Sequence, residues 1–253
     1  MKQIFLTAAV LLLPMLCTTA GAAGVFLLRK TGEPATRRML CGMAAGIMLA
    51  ASVWSLLLPA IERAEQGPLP AWVPPAVGLL LGAVGLLRLE TLAGRLLNAG
   101  PGRCGRMVLA VTLHNLPEGM AVGVVLAGFL AGDPTITLAS VTALAVGIAI
   151  QNVPEGAIVS LPLATNGLSR PRAFLAGTLC GAVEPLGAAI MVAITGLVTP
   201  LLPVVLAFAA GAMMYVVTEE LIPQTQQGRH TNIGTIGVAF GFVLMMVLDV
   251  ALG

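Results

Sequence analysis

Apolar residues occur along this chain in eight long runs, separated by short stretches of polar residues, glycine and proline. A helix needs roughly 20 residues to cross a hydrocarbon layer about 30 Å thick, and each run meets that length. The expected transmembrane segments cover about residues 4–28, 39–61, 72–92, 107–131, 136–164, 171–197, 202–222 and 233–252. The predicted fold is all-α, a polytopic membrane protein with eight transmembrane helices. Because every connection is short, one transmembrane domain over residues 1–253 is expected.

Basic residues follow the alternation of these segments. Eleven of the thirteen Lys and Arg residues lie in or beside the odd-numbered connections, and only Lys2 and Arg63 lie on the other side. Lys and Arg accumulate on the cytoplasmic side, so both termini are expected outside a bacterial-type cell (inner) membrane. For the first segment, a cleaved signal peptide is the alternative, because Lys2 precedes the apolar run and the small residues 20–23 follow it. The length of that run and the basic cluster after it favour a membrane helix.

The composition agrees with a lipid environment. The chain is 58% hydrophobic and 9% charged, which leaves too little polar surface for a water-soluble globule. The net charge of +2 does not indicate nucleic acid as a partner. The four cysteines lie far apart and form no CxxC pair, so neither a disulfide framework nor a thiolate zinc site is expected.

One short motif occurs twice. The sequence HNLPEG at residues 114–119, in the fourth segment, is repeated as QNVPEG at residues 151–156 in the fifth. Adjacent segments run antiparallel, so the two copies meet head to tail, as in inverted-repeat transporters that bind their substrate near the membrane midplane. Within each copy the first residue and the glutamate are four apart and lie on one helix face. The sequence therefore predicts an inverted-repeat arrangement around a central site.

Three carboxylates, those of Glu118, Glu155 and Glu184, lie inside apolar runs. Inserting an ionised carboxylate costs about 2.5–3.5 kcal/mol, and no Lys or Arg lies in the middle of a predicted segment to neutralise one. Protons or a bound cation must do so. Imidazole with carboxylate and amide oxygens suits zinc, iron(II), cobalt and manganese, whereas an all-oxygen cage would indicate calcium or magnesium. The alternative is that the polar side chains only hydrogen-bond between helices, which two matching motifs with carboxylates disfavour.

The paired motifs resemble those of the ZIP (Zrt/Irt-like) family of divalent metal transporters, in its bacterial form. The resemblance extends over essentially the whole chain, through GIMLAAS at 46–52, Glu184-Pro185 and EELIP at 219–223. It implies import of divalent transition-metal ions into the cytoplasm, with zinc the foremost candidate and cadmium, iron, manganese or cobalt as other cargo. It also implies movement of one helix group against another, membrane lipid as surroundings, no catalytic cofactor and no enzymatic activity.

The resemblance further implies two metal positions at mid-membrane. The first would be formed by Met48, His114, Glu118, Gln151 and Glu155. The second would be formed by Asn115, Asn152 and Glu184, with Glu118 and Glu155 bridging. The residues expected along the transport path are Ser55 near the outer side, Asp249 at the entrance, and Glu219 and Glu220 toward the cytoplasmic exit. For the last three, a solvated carboxylate near a helix end is the alternative.

The sequence departs from the family in places. Gln151 stands where many members have His, and the neutral Asn152 weakens the second metal position. Residues 93–106 contain no His, so metal sensing by this connection is not expected. Cys180 precedes Glu184 by four residues, and a thiolate there would favour zinc or cadmium over manganese; a packed thiol is the alternative.

Two other functions use the same residues. An intramembrane metallohydrolase would activate water at the metal, but neither histidine lies in an HExxH pattern. A proton-coupled or exporting metal carrier would differ from an importer only in coupling or direction. Helix faces of small residues permit a homodimer without requiring one.

Overall fold

Eight helices of the computed structural model are long and apolar enough to cross a membrane. The structure describes residues 2–27, 34–96, 103–226 and 231–252, and within these ranges it contains helices and turns but no strand. Spans one to eight are Leu6–Leu27, Ala35–Ala64, Val73–Arg95, Val111–Leu130, Leu138–Thr165, Arg170–Ala193, Leu202–Thr225 and Ile233–Ala251. The predicted all-α polytopic fold is confirmed.

Several spans are built from more than one helical piece. The helices are Lys2–Ala22 and Gly24–Leu27; Pro34–Ala51, the π-helix Ser52–Leu57 and Leu58–Ala64; Val73–Leu96; Arg103–Leu130; Leu138–Thr165; Arg170–Gly181, Val183–Ala193 and Thr195–Val198, followed by the 3₁₀ turn Thr199–Leu201; Leu202–Val216, the π-helix Val217–Leu221 and Ile222–Thr225; and Ile233–Leu252. Pro117 and Pro154 lie inside helices that continue past them. Each proline leaves a carbonyl oxygen one turn earlier without its helical hydrogen bond.

Four predicted helix ends differ from the structure by four or five residues. The third helix ends at Leu96 rather than at residue 92, and the fourth begins at Arg103 rather than at residue 107. The second helix begins at Pro34 rather than at residue 39, so Arg37 and Arg38 lie in the helix and not in the first connection. Proline suits a helix start because its missing N–H would have no partner there. The predicted sixth segment extended to residue 197, but its helix ends at Ala193 and only a short helical turn follows. Other residues used for the orientation, Arg29, Lys30 and Arg229, lie outside the described residues, as does His230.

The eight spans form two groups of four. Spans one, four, five and six pack mainly against one another, and we call them the first group. Spans two, three, seven and eight form the second group. Spans four and five carry the repeated motif and also contact the second group through spans two, seven and eight. The motif therefore lies where the two groups meet.

Candidate metal site

A small cavity lies between the repeated motifs and the second group. Its free volume is about 30 Å³, room for roughly two water molecules and so for a metal ion that has lost most of its hydration shell. Its lining includes all five residues expected at the first metal position, Met48, His114, Glu118, Gln151 and Glu155, and also Glu220. Span two contributes the thioether, spans four and five the polar side chains, and span seven Glu220. Tertiary packing thus brings together side chains that lie far apart in sequence.

Glu118 and Gln151 form the buried centre of this cavity. Only 1% of each residue is exposed, and Gln151 Nε2 donates a hydrogen bond of 2.7 Å to Glu118 Oε1. The remaining oxygens, Glu118 Oε2 and Gln151 Oε1, are buried and have no hydrogen-bond partner. Glu155 is half-buried and lines the same cavity from span five. Two carboxylates and an amide oxygen therefore converge on one space.

The residues expected at the second position lie beside this cavity and in part hydrogen-bond one another. Asn152 Nδ2 donates to Glu184 Oε2 at 2.8 Å, which joins spans five and six. Asn115 Nδ2 donates instead to the backbone oxygen of Cys180 at 3.0 Å. Asn152 and Glu184 are thus in direct contact, whereas the amide nitrogen of Asn115 is engaged by the backbone of span six.

The glycine that ends each motif copy allows a neighbouring span to approach closely. A Cβ on Gly119 would collide with the backbone of Glu184, and a Cβ on Gly156 would collide with the backbone oxygen of Thr18. Each motif copy thus packs, through its glycine, directly against one further helix of the first group. This close approach holds Glu184 next to the motif in span four.

Five buried ligand atoms of the two motifs have no hydrogen-bond partner. They are His114 Nε2, Asn115 Oδ1, Glu118 Oε2, Gln151 Oε1 and Asn152 Oδ1. Leaving a buried polar atom unpaired costs about 1–3 kcal/mol, and such atoms are rare in folded proteins. All five can donate an electron pair to a cation, and bound metal ions would satisfy the four oxygens that the protein alone leaves unpaired.

His114 also contacts two carboxylates of the second group. Its Nε2 lies 2.8 Å from Glu220 Oε1 and 3.8 Å from Glu90 Oε1, although no well-aligned N–H···O hydrogen bond forms. One ligand atom from each of these three residues lies within 4.8 Å of the others. Tyr215 Oη donates to Glu90 Oε2 at 2.7 Å and so holds that carboxylate. These three residues, which we call the His114 cluster, could hold a metal ion.

Glu90 was not predicted as a site residue. It lies two residues before the predicted end of the third segment, where a solvated carboxylate is expected. The available signal was that Glu90 is the one acidic residue in that predicted segment. Glu219, in contrast, was expected to share a role with Glu220, but its side chain is exposed and no contact joins it to His114 in the described structure.

Ser55 and Asp249, expected at the outer side and the entrance, lie together. Ser55 Oγ donates to Asp249 Oδ1 at 2.7 Å, and both residues are buried. Ser55 is part of the π-helix in span two, and Glu219 and Glu220 are part of the π-helix in span seven. Short π-helical turns are rare and occur frequently at functional sites. Both π-turns of the described chain therefore carry residues expected along the transport path.

The Cys180 thiol has neighbours different from those of Glu184. It accepts a hydrogen bond from Thr112 Oγ1 at 3.3 Å and donates one to the backbone oxygen of Val108 at 3.7 Å, both in the helix of span four. Glu184 contacts Thr18 and Asn152 instead. These contacts favour the interpretation of Cys180 as a packed thiol.

The chain is similar to known proteins over most of its length. The family model described as ZIP Zinc transporter matches residues 105–249, which include both motif copies, Glu184, Glu220 and Asp249. Zinc transporter ZIPB of Bordetella bronchiseptica is 43% identical, over 86% of this chain and 72% of its own length. Zinc transporter GufA of Myxococcus xanthus is 38% identical, over 79% of this chain and 81% of its own, and Zinc transporter ZIP11 of Xenopus tropicalis is 35% identical, over 93% and 94%. With both motifs inside the matched region and relatives covering most of the chain, this multi-pass membrane protein belongs to the ZIP zinc transporter family.

Proposed function

We propose that this protein transports divalent transition-metal ions, above all zinc, into the cytoplasm along the boundary between its two helix groups. The observation that carries the proposal is the set of five buried ligand atoms without a hydrogen-bond partner, three of which belong to residues that line the cavity of about 30 Å³, namely His114, Glu118 and Gln151. Zinc binds nitrogen and oxygen ligands at about 2.0–2.2 Å and suits such a mixed set. The relatives that cover most of the chain carry the name zinc transporter.

The two metal positions differ in charge. In the first, Glu118 and Glu155 supply negative charge, His114 a nitrogen donor, Gln151 an amide oxygen and Met48 a thioether. In the second, Asn115, Asn152 and Glu184 surround an ion that Glu118 and Glu155 share with the first. Because Asn152 is neutral, the second position binds its ion more weakly than it would with an acidic residue at 152.

The transport path passes through three places. Asp249, held by Ser55, receives the ion near the outer side. The ion then enters the first position, which includes His114. From there it moves to the His114 cluster, whose carboxylates belong to Glu90 and Glu220 of the second group. Since His114 contacts both the cavity and this cluster, one imidazole serves successive positions, and the cluster supports a release route through Glu220.

The orientation is part of the proposal. The whole chain acts as one transport domain in a cell (inner) membrane, with both termini outside. A cysteine-free background with single cysteines at Gln66, exposed in a connection, and at Arg170, exposed at the start of span six, tests it. A thiol reagent that cannot cross the membrane, applied to intact cells, would label position 66 but not position 170. The reverse pattern would invert the orientation and with it the direction of transport.

The other functions predict different outcomes. An intramembrane metallohydrolase would turn over lipid or peptide in detergent, whereas the relatives carry transporter names, which favours transport. A proton-coupled carrier would need a proton gradient for zinc accumulation. An exporter would move zinc in the opposite direction, from the cytoplasmic side of the protein to the outer side.

The decisive experiment measures zinc accumulation by proteoliposomes that contain the purified protein. The double variant Glu118→Ala, Glu155→Ala removes both bridging carboxylates, and we expect no uptake from it. The matched control is Glu62→Ala, Glu65→Ala, which removes two exposed carboxylates at the end of span two and leaves uptake at the parental level. A well-folded parent that moves no zinc in either direction, with or without a proton gradient, would overturn the proposal.

A further inference from the structure

We propose that Thr18 in span one is a positioning residue for Glu184, and that its hydroxyl sets the affinity of the second metal position. This inference rests on the proposed function. Thr18 is fully buried, with 0% of its surface exposed. Its Oγ1 lies 3.0 Å from Glu184 Oε1 and donates a hydrogen bond to it across 166 residues of sequence.

The two oxygens of Glu184 are held by two different spans. Asn152 of span five donates to Oε2 at 2.8 Å, and Thr18 of span one donates to Oε1 at 3.0 Å. The carboxylate plane is therefore fixed from both sides. Glu184 is itself only 1% exposed, so water cannot replace either donor. Without the hydroxyl of Thr18, Oε1 would lose the hydrogen bond that orients it.

Packing fixes the position of Thr18. Its backbone oxygen lies against Gly156, the last residue of the second motif copy, and its side chain lies against Gly181 of span six. A Cβ at either glycine would collide with Thr18. Span one thus packs directly on the motif, which fixes the backbone position from which the Thr18 hydroxyl reaches Glu184.

The hydroxyl has a second acceptor for its single proton. The backbone oxygen of Pro14, one turn earlier, lies 3.2 Å from Thr18 Oγ1. Because a hydroxyl carries one proton, it donates to Glu184 or to Pro14, not to both at full strength. When a metal ion takes Glu184 Oε1, the hydroxyl turns its proton to Pro14 and presents its oxygen toward the ion. Thr18 thus orders the carboxylate in the metal-free protein and accommodates the cation in the loaded one.

The test compares four single variants, and one of them also in a Glu184→Ala background, by zinc affinity and by transport. Zinc affinity is measured on the detergent-purified full chain by competition with a chelating dye, and KM and maximal rate are measured in proteoliposomes. Thr18→Val keeps the shape of the side chain and removes the hydroxyl. Thr18→Ala also removes the hydroxyl and leaves a smaller side chain. We expect both to weaken zinc affinity and to raise KM by roughly 10-fold or more, the effect of one hydrogen bond to a charged group, with maximal rate within about twofold.

Two further variants separate positioning from packing. Thr18→Ser retains the hydroxyl, and we expect affinity within about twofold of the parent. Thr19→Val is the matched control. Thr19 follows Thr18 in the helix, and its Oγ1 is buried and has no hydrogen-bond partner. In a Glu184→Ala background, Thr18→Val is expected to have no further effect on zinc affinity.

Three results would overturn the inference. They are parental affinity and KM in folded Thr18→Val or Thr18→Ala, an equal loss in Thr18→Ser, and an undiminished effect of Thr18→Val in the Glu184→Ala background. The thermal midpoint of each variant shows whether it folds, and Thr18→Ala replaces Thr18→Val if the latter does not. A parent that binds zinc but does not transport it would contradict the proposed function, while the affinity series would still decide the role of Thr18.

Discussion

His114 is the residue that joins the two parts of the site. It lines the cavity with Glu118 and Glu155, and its Nε2 lies 2.8 Å from Glu220 on the opposite group. An imidazole nitrogen in such a place is a ligand for a borderline metal ion and a partner for a carboxylate when the ion is absent. Under the proposed function, the ion and Glu220 would therefore compete for the same nitrogen.

Replacing Glu220 is expected to slow zinc uptake. Glu220→Gln keeps the size of the side chain but removes the negative charge beside His114, so we expect the initial rate in proteoliposomes to fall at least severalfold. Glu219→Gln is the matched control, because Glu219 is the adjacent carboxylate but is exposed, and its uptake is expected near the parental rate. Equal rates for the two variants would show that contact with His114 does not distinguish them.

Zinc uptake is expected to weaken as the external pH falls from about 7 to about 5. Ligands must lose their protons to bind metal, and a free imidazole has a pKa of about 6.5, so protons compete with zinc over this range. The measurement is the initial uptake rate in proteoliposomes with the internal pH held constant. Undiminished uptake at about pH 5 would contradict this competition, and faster uptake would favour a proton-coupled carrier.

At the scale of the helices, close approach is made possible by glycine. Gly42 and Gly46 of span two lie against the backbone of span eight, and Gly237 and Gly241 of span eight lie against span two. Small residues let helix backbones approach within a membrane, where van der Waals packing replaces the hydrophobic effect as the source of association. Span two, which carries Met48 and Ser55, is thereby held in place by span eight.

An alanine at Gly46 is expected to destabilise the protein. Its Cβ would collide with the backbone of Val238 and Phe242, and no flexible side chain is there to yield. Gly94→Ala is the matched control, since nothing lies within 4 Å of the added carbon. Alanine in an open helical position gains about 0.5–1 kcal/mol, so that variant is expected to match or exceed the parent. The measurement is the thermal midpoint in detergent, and equal midpoints for the two variants would refute the packing argument.

At the scale of the whole molecule, polar contacts join the two helix groups. One is the contact of His114 with Glu220 and Glu90. Another is the ion pair between Arg63, at the end of span two, and Asp133, in the turn after span four, with Nε and Oδ2 2.8 Å apart. The Asp133 side chain is 2% exposed and also accepts hydrogen bonds from the backbone N–H and hydroxyl of Thr135.

Breaking this ion pair is expected to destabilise the contact between the groups. Asp133→Asn removes the charge from a buried position while the Arg63 side chain, 29% exposed, keeps partial access to water. We expect the free energy of unfolding to fall by roughly 1–3 kcal/mol, less than the decrease for a fully buried ion pair. It is measured as a lower thermal midpoint of the purified protein. Glu62→Gln, a neutralised neighbour that is exposed, should leave the midpoint unchanged, and a parental midpoint for Asp133→Asn would contradict the expectation.

Much of the fold could be predicted from sequence. A membrane span is defined by the length and composition of one continuous segment, because every backbone group must find its partner within the helix. The eight spans and the two facing motifs are properties of this kind. The start of the second helix at Pro34 was missed because a polar helical turn before an apolar run has the same composition as a connection.

The partners of the candidate site residues were decided only by the tertiary structure. Thr18 and Glu184 are 166 residues apart, and Tyr215 and Glu90 are 125 apart. Within lipid, helix interfaces are as apolar as the lipid-facing surfaces, so no alternation of apolar and polar residues marks which span packs on which. The sequence by itself therefore determined the spans, the repeated motif and the kind of ligands. Helix packing alone decided that Thr18 reaches Glu184 and that His114 meets Glu90 and Glu220, because those contacts depend on which glycine faces admit which neighbouring helix.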